Sequence, residues 1–291
     1  MVYLEKRVPP FSETQAELPH LRKIICEPVA AYGTLASLLL QIAHPGVGRG
    51  VHEHSEFASR QIDRAEKTEI YVHCMVYGTP EEKAFVKEWV DMVHSRVKGG
   101  EGKDQYSALD PGLQLWVAAT MYETMVTMYE KVYGTFSPED AERVYHEFTV
   151  FATSLQVPPE DWPKDRAAFK EYYQQVLNND LDVLPSTKQV FHHIMHPQVP
   201  LALRPLVPPL LFLLRAFAIP LLPPEILDAF GLPRKQRRIE KMVTALMLSS
   251  YRLTPGFIRH IPKRYYMRRT RKMVKILKDR GFTADMKMRA S

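Results

Sequence analysis

The sequence predicts an all-α protein, and three observations lead to that fold class. Apolar residues recur at helical spacing along much of the 291-residue chain. A capping residue followed by proline marks a helix start at Thr79-Pro80-Glu81-Glu82, at Asp110-Pro111 and at Ser137-Pro138-Glu139-Asp140. No stretch alternates apolar and polar residues as a half-buried strand would, and no internal repeat is present.

In chain order, PVAAYGTLASLLLQIAH (28–44) is apolar on most sides and predicts one buried helix. QIAHPGVGRGVHEHSEF (41–57) reads as a loop; His44 precedes Pro45, which biases it away from helical backbone. In DRAEKTEIY (63–71), helical spacing puts Arg64, Lys67 and Thr68 on one face. The helix opened at Thr79 carries Val86, Val90, Val93 and Val97, with His94 on or beside that stripe. The Asp110 helix runs to about Tyr133 and stops at Gly134. The Ser137 helix carries Val144, Phe148 and Phe151, and VPPEDWP (157–163) breaks the chain before a helix from about Lys164 to Asn178.

Residues 199–224 are very apolar, yet prolines interrupt them and Arg204 and Arg215 lie inside. A membrane-spanning helix wants about 20 apolar residues without such breaks. A buried Pro-kinked helix or an interfacial segment is the expectation. The chain is expected to divide into an N-terminal arm (1–27), one helical domain (28–270) and a basic tail (271–291).

Hydrophobic residues make up 45% of the chain, enough for a sizeable core. Residues 234–291 hold eighteen Lys/Arg against three Asp/Glu, so they carry more than the whole chain's net +6. That end suits phosphate groups or an anionic membrane; the plainer reading is a solvated helical face. Tyr251, Tyr265 and Tyr266 lie among the basic residues, but no nucleic-acid-binding module accompanies them, and no nucleic-acid partner is expected. Cys26 and Cys74 make no disulfide framework. The N-terminus shows no signal-peptide run, so an intracellular protein is expected, cytoplasmic or at the endoplasmic-reticulum surface.

Several motifs are set aside. GVGRG (46–50) follows no strand and lacks both the dinucleotide-binding spacing and a following GK[ST], and no GxSxG elbow exists. His44, His52 and His54 have no facial-triad or HExxH spacing, so they read as caps and pocket wall rather than metal ligands. HHIMH (192–196) is a short tract that can bind metal adventitiously. Arg64, Lys67 and Thr68 are either a solvated face or a row of donors. His94 is either a satisfied core histidine or a ligand to a buried cofactor.

With these pieces in order, the chain resembles the rubber-oxygenase catalytic-domain family shared by bacterial latex clearing protein and fungal ER-bound oxygenases of the mycophenolic-acid pathway. The resembling stretches are LLLQIAHPGVGRGVHEHSEF, Arg64-x-x-Lys67-Thr68, MVHSRVKG, LDPGLQLWVAAT, FGLPRKQRR and TPGFIRHIPKRY, spread over about residues 30–270. The resemblance implies a globin-like helical domain around haem b, with His94 as the iron ligand and Lys98 where many relatives have arginine. It implies Arg64, Lys67 and Thr68 on the distal side, Lys67 capping the iron in a closed state, and His44 and His54 flanking the pocket. It implies O2 and a small apolar, isoprenoid or lipid-like substrate, oxidised by C=C cleavage or hydroxylation. The family's distal glutamate has no secure counterpart here; Glu53 and Glu56 lie near its place. Two other functions compete: a non-catalytic haem or lipid carrier, and a cofactor-free membrane-surface adaptor touching lipid through 199–224 and the basic tail.

Overall fold

The structure is a computed structural model that describes residues 18–54, 57–197, 199, 201–279 and 281. Residues 1–17 of the expected arm, Glu56, and 280 and 282–291 of the expected tail lie outside the described residues. The described chain is all-α apart from one small hairpin.

The described residues open with α1 (Pro19–Ile25), whose Leu21 and Ile24 are fully buried although they fall within the expected arm. The helix predicted over 28–44 is two pieces: a 3-10 turn at Pro28–Gly33, then α2 (Thr34–Ala43). The break sits at Gly33, where a Cβ would come within 3.0 Å of Thr124 Cβ. The predicted loop after it is helical, α3 (Pro45–His54). His44, between α2 and α3, is extended at φ −72°, ψ 123°, as its proline neighbour requires. Gly48 explains part of the GVGRG run: a Cβ there would lie 2.5 Å from both Ile42 O and Thr187 Oγ1. Only a bare Cα lets α3 pack this closely on α10 (Pro185–Met195).

The centre is an antiparallel helix pair, α4 (Phe57–Tyr77) and α5 (Pro80–His94). Thr79 caps α5 with a full capping box: Thr79 Oγ1 accepts from Glu82 N, and Glu82 accepts from Thr79 N. The buried face of α5 differs from the valine stripe expected. Phe85, Val86 and Val90 are buried with Lys83, while Val93 is exposed and Val97 lies beyond the helix. The long α15 (Ile261–Asp279) packs on α4 and α5 and sets that face, which the sequence of α5 alone does not reveal.

Between α5 and α6 (Pro111–Tyr133) lies the hairpin that no alternation pattern announced, β1 (Lys98–Gly99) with β2 (Tyr106–Ser107). Two-residue strands are too short to show a period of two. Gly100 turns the chain at φ +72°. Helix α6 is capped by Asp110 and ended by Gly134 at φ +91°, as its sequence predicts. Trp116 on it donates to Leu40 O at 3.0 Å. Ser137 caps α7 (Pro138–Phe148), a one-turn α8 (Val150–Thr153) follows, and Asp165 caps α9 (Arg166–Asn179). Val144, Phe148 and Phe151 are buried together.

The proline-rich segment forms a 3-10 turn at Leu201–Leu206 and α11 (Val207–Ala218). Short α12 (Pro224–Ala229), α13 (Arg238–Tyr251) and α14 (Gly256–Arg259) lead into α15. Helix α15 runs unbroken through residue 270, and its Val274 is in the core. Within the described residues, Arg204–Leu221 is one unbent helical stretch long and apolar enough to cross a membrane, with 22% of it buried, and Pro19–Ile25 with Pro28–Ala43 passes the same test only as a pair bent by 70°.

Candidate active site

Helices α4 and α5 form a hairpin closed by Gly78-Thr79, so residues equally far from the turn face each other. Arg64 stands thirteen residues before Tyr77 and His94 fourteen after Pro80, at the open end. The two are near enough that the Arg64 charge helps hold His94 below its ordinary pKa; burial is the larger cause, and Asp91 acts the other way. Arg64 is exposed to solvent, yet desolvation lowers its pKa.

Around the helix, Arg64, Lys67, Thr68, Tyr71 and Met75 share one face by helical spacing. Lys67 Nζ is 2.7 Å from Asp63 Oδ2, so this lysine is held back along its own helix. Thr68 Oγ1 donates to Arg64 O at 3.2 Å and is exposed. Deeper, Tyr71 donates to Phe151 O and bonds Ser154 Oγ, closing the inner end of this face with polar groups satisfied.

His94 is the last residue of α5. Its Nδ1 is buried and has no hydrogen-bond partner among the described residues. An unsatisfied buried imidazole nitrogen calls for an explanation, because satisfying such atoms is the rule. The helix end bearing it is tightly held. Asp91 Oδ2 accepts from Lys87 at 2.6 Å and Oδ1 from Gln156 Nε2 at 2.8 Å. Gln156 and Gln114 are doubly bonded, at 2.5 and 2.8 Å, and Gln114 also donates to Ala108 O at 2.7 Å. This chain of amides ties the last turn of α5 to the start of α6. Sequence reasoning missed Asp91, Gln114 and Gln156; no local pattern signals three residues that meet only in space.

The other named residues have partners of their own. His54 Nε2 is 3.0 Å from both Lys98 O and Tyr106 Oη, and Tyr106 donates a short bond to Glu53. His54, Glu53 and Lys98 thus clamp α3 to the hairpin, helped by Arg49 on Asp104 at 2.7 Å. The Lys98 side chain is exposed. His44 Nδ1 accepts from Gly46 N at 3.3 Å. It lines a separate open pocket with Arg49, Tyr106, Asp110 and Asp180, and burial lowers its pKa. His192 and His196 stack at 4.2 Å.

A family profile described as "ER-bound oxygenase mpaB/B'/Rubber oxygenase, catalytic domain" matches residues 22–250. An uncharacterised protein of Mycobacterium tuberculosis is 36% identical over 148 residues, as is one of Mycobacterium bovis; each match covers 49% of this chain. The chain spans 58% of the length of these curated relatives. Among solved structures, latex clearing protein in its closed state superposes with a TM-score of 0.51 at 19% identity, over 87% of this chain and 72% of that one. That likeness is one of fold.

Proposed function

Since the chain belongs to the family of ER-bound oxygenases and rubber oxygenases, matching its catalytic domain over residues 22–250, we propose that it is a haem b-dependent oxygenase acting with O2 on a small apolar, isoprenoid or lipid-like substrate. The observation that supports the haem is the buried His94 Nδ1, without a hydrogen-bond partner among the described residues and near enough to Arg64 to feel its charge. The residues fit the group. Burial keeps His94 neutral, the form in which imidazole ligates a metal. The Arg64, Lys67 and Thr68 face offers cationic and hydroxyl groups, and Lys67 pairs with Asp63 there.

Haem iron supplies the one-electron and O2 chemistry that no side chain here can perform. His94 would hold it, with orientation fixed through the Asp91–Gln156–Gln114 chain. Arg64 and Thr68 are donors set to stabilise negative charge that develops as oxygen is reduced. Lys67 gates the face: it rests on Asp63 and can leave it without crossing a large barrier, because an exposed pair of this kind is worth about 1 kcal/mol or less. His54 and the Lys98 backbone brace α3 against the hairpin that follows α5, while His44 lines the separate pocket beside Asp110 and Asp180.

The substrate arrives from an apolar phase. Leu201, Leu206 and Leu210 beside α11, and Ile239, Met242 and Leu246 on α13, are exposed. So are Leu253, Phe257 and Ile261 around α14, with Arg238, Lys241, Arg252 and Arg264 among them. Exposed apolar side chains flanked by cations suit a peripheral contact with an anionic membrane.

The test is oxygen uptake by haem-loaded protein given a short polyprenyl substrate. Uptake with oxidised product supports the oxygenase, and Arg64→Ala is expected to lower the rate about 100- to 1,000-fold. Bound haem without substrate-dependent uptake would leave a carrier instead.

A further inference from the structure

A second group of candidate ligands lies on the far side of α4, away from the Arg64 face. Among the described residues, Cys26, Glu27 and His260 are the one group whose ligand atoms (Sγ, carboxylate O and imidazole N) all lie within 4.8 Å of one another. We propose that Cys26, Glu27 and His260 bind a zinc-type divalent cation, with a fourth position open to the adjoining cavity.

The fold brings these residues together from opposite ends of the chain. Cys26 caps the C-terminus of α1, and Glu27 precedes the Pro28–Gly33 turn in extended backbone. His260 sits at the joint between α14 and α15. Glu27 is buried and its two oxygens are treated differently. Oε2 accepts from Arg259 Nη1 at 2.6 Å and Tyr251 Oη at 2.8 Å. His260 Nε2 approaches Oε1 at 3.4 Å, well beyond the 2.7–2.9 Å of a good charge-assisted bond. The Arg259–Glu27 pair accounts for one oxygen and leaves Oε1 and Nε2 in a long mutual approach, while Cys26 Sγ donates to Lys23 O at 3.3 Å, a contact that a bound ion would replace. Holding one carboxylate oxygen while the other faces a sulfur and an imidazole is how outer-shell partners orient a metal ligand.

The donor set selects the ion. One thiolate, one imidazole and one carboxylate match zinc; magnesium and calcium prefer all-oxygen shells. Three protein ligands leave one tetrahedral position. A cavity of about 250 Å³, lined by Cys26 and Glu27 with Tyr32, Glu69, His73 and Tyr266, lies beside it and has room for water. Binding replaces the Cys26 thiol proton, which leaves to solvent. The ion's charge is then met by thiolate and carboxylate despite Arg259 and Lys263 nearby. The ion would staple the α14–α15 joint to the start of the core.

The experiment is metal analysis of chelator-stripped full-length protein after zinc is restored, with thermal melting alongside. The expected result is stoichiometric zinc and a raised Tm in the wild type. Cys26→Ser and His260→Ala should each weaken zinc binding more than about tenfold, and His260→Ala should lose the zinc-dependent rise in Tm. His94→Ala should keep its zinc, separating this site from any haem result. Zinc content and Tm response unchanged in both ligand variants, or no zinc retained by the wild type, would overturn the proposal.

Discussion

Glu69 shows how two neighbouring side chains on one helix can take opposite environments. Thr68 joins the Arg64 face, whereas Glu69 turns into the far cavity beside His73. Burial pushes the Glu69 carboxyl up to about 7 and His73 down to about 4. His73 Nδ1 donates to Glu69 O at 2.9 Å and lies 3.4 Å from its carboxylate, so neither charge is well met. Between 4.5 and about 7 the folded chain holds a proton on Glu69 that the unfolded chain gives up, so this group's contribution to stability falls as pH rises through that window. His73 works the other way, losing stability as pH falls from 6.5 towards about 4. Glu69→Gln removes the first effect. Denaturant unfolding should show it more stable than wild type by on the order of 1 kcal/mol at pH 8, with the gain shrinking at pH 5; water reaching a fifth of the side chain keeps the gain small. An equal or larger gain at pH 5 would contradict this account. Gly48 makes a second residue-scale prediction. Gly48→Ala puts a methyl against Ile42 O and Thr187 Oγ1 and should cost roughly 1–3 kcal/mol, read as a drop in Tm.

Among elements, the helix starts at Thr79, Asp110 and Ser137 were legible because capping chemistry is local: each side chain accepts a backbone N–H three residues ahead. The stop at Gly134 was legible for the same reason. What failed were features decided by distant neighbours. The change from 3-10 to α at Gly33 lies where Thr124 packs against the backbone, and α15 packs on α5 beside its buried face. The clamp of α3 on the hairpin rests on His54 reaching Lys98 and Tyr106. The candidate site divides along that line: i, i+3, i+4 spacing exposes the Arg64, Lys67 and Thr68 face, but nothing local shows that Gln114 and Gln156 brace the turn holding His94. Gln156→Ala frees Asp91 Oδ1 and parts α5 from α6. In a haem titration it should weaken binding about 10- to 100-fold while the helical content stays unchanged. Unaltered affinity would remove the bracing role.

Across the whole molecule, exposed apolar and basic side chains recur together through the last third of the described chain. The prolines of 199–224 break the segment into a 3-10 turn and α11, and most of it stays unburied, so it is not the core helix its composition alone allows. Leu253 is 82% exposed, Met242 71% and Phe257 67%, values rare for such side chains unless something covers them. With Leu253 and Phe257 both changed to Asp, co-sedimentation with anionic phosphatidylserine vesicles should fall at least several-fold, and wild-type binding should weaken as salt rises. Equal sedimentation of variant and wild type would contradict a membrane contact through this surface.

The central claim is that His94 holds haem iron opposite Arg64, Lys67 and Thr68. The most direct test is the ultraviolet–visible spectrum and iron content of the purified protein, reconstituted with haem where needed, beside His94→Ala. A Soret band with stoichiometric iron in the wild type, absent from a folded His94→Ala, is the predicted result. A wild type that takes up no haem, or a variant that keeps an unchanged Soret band, would contradict it.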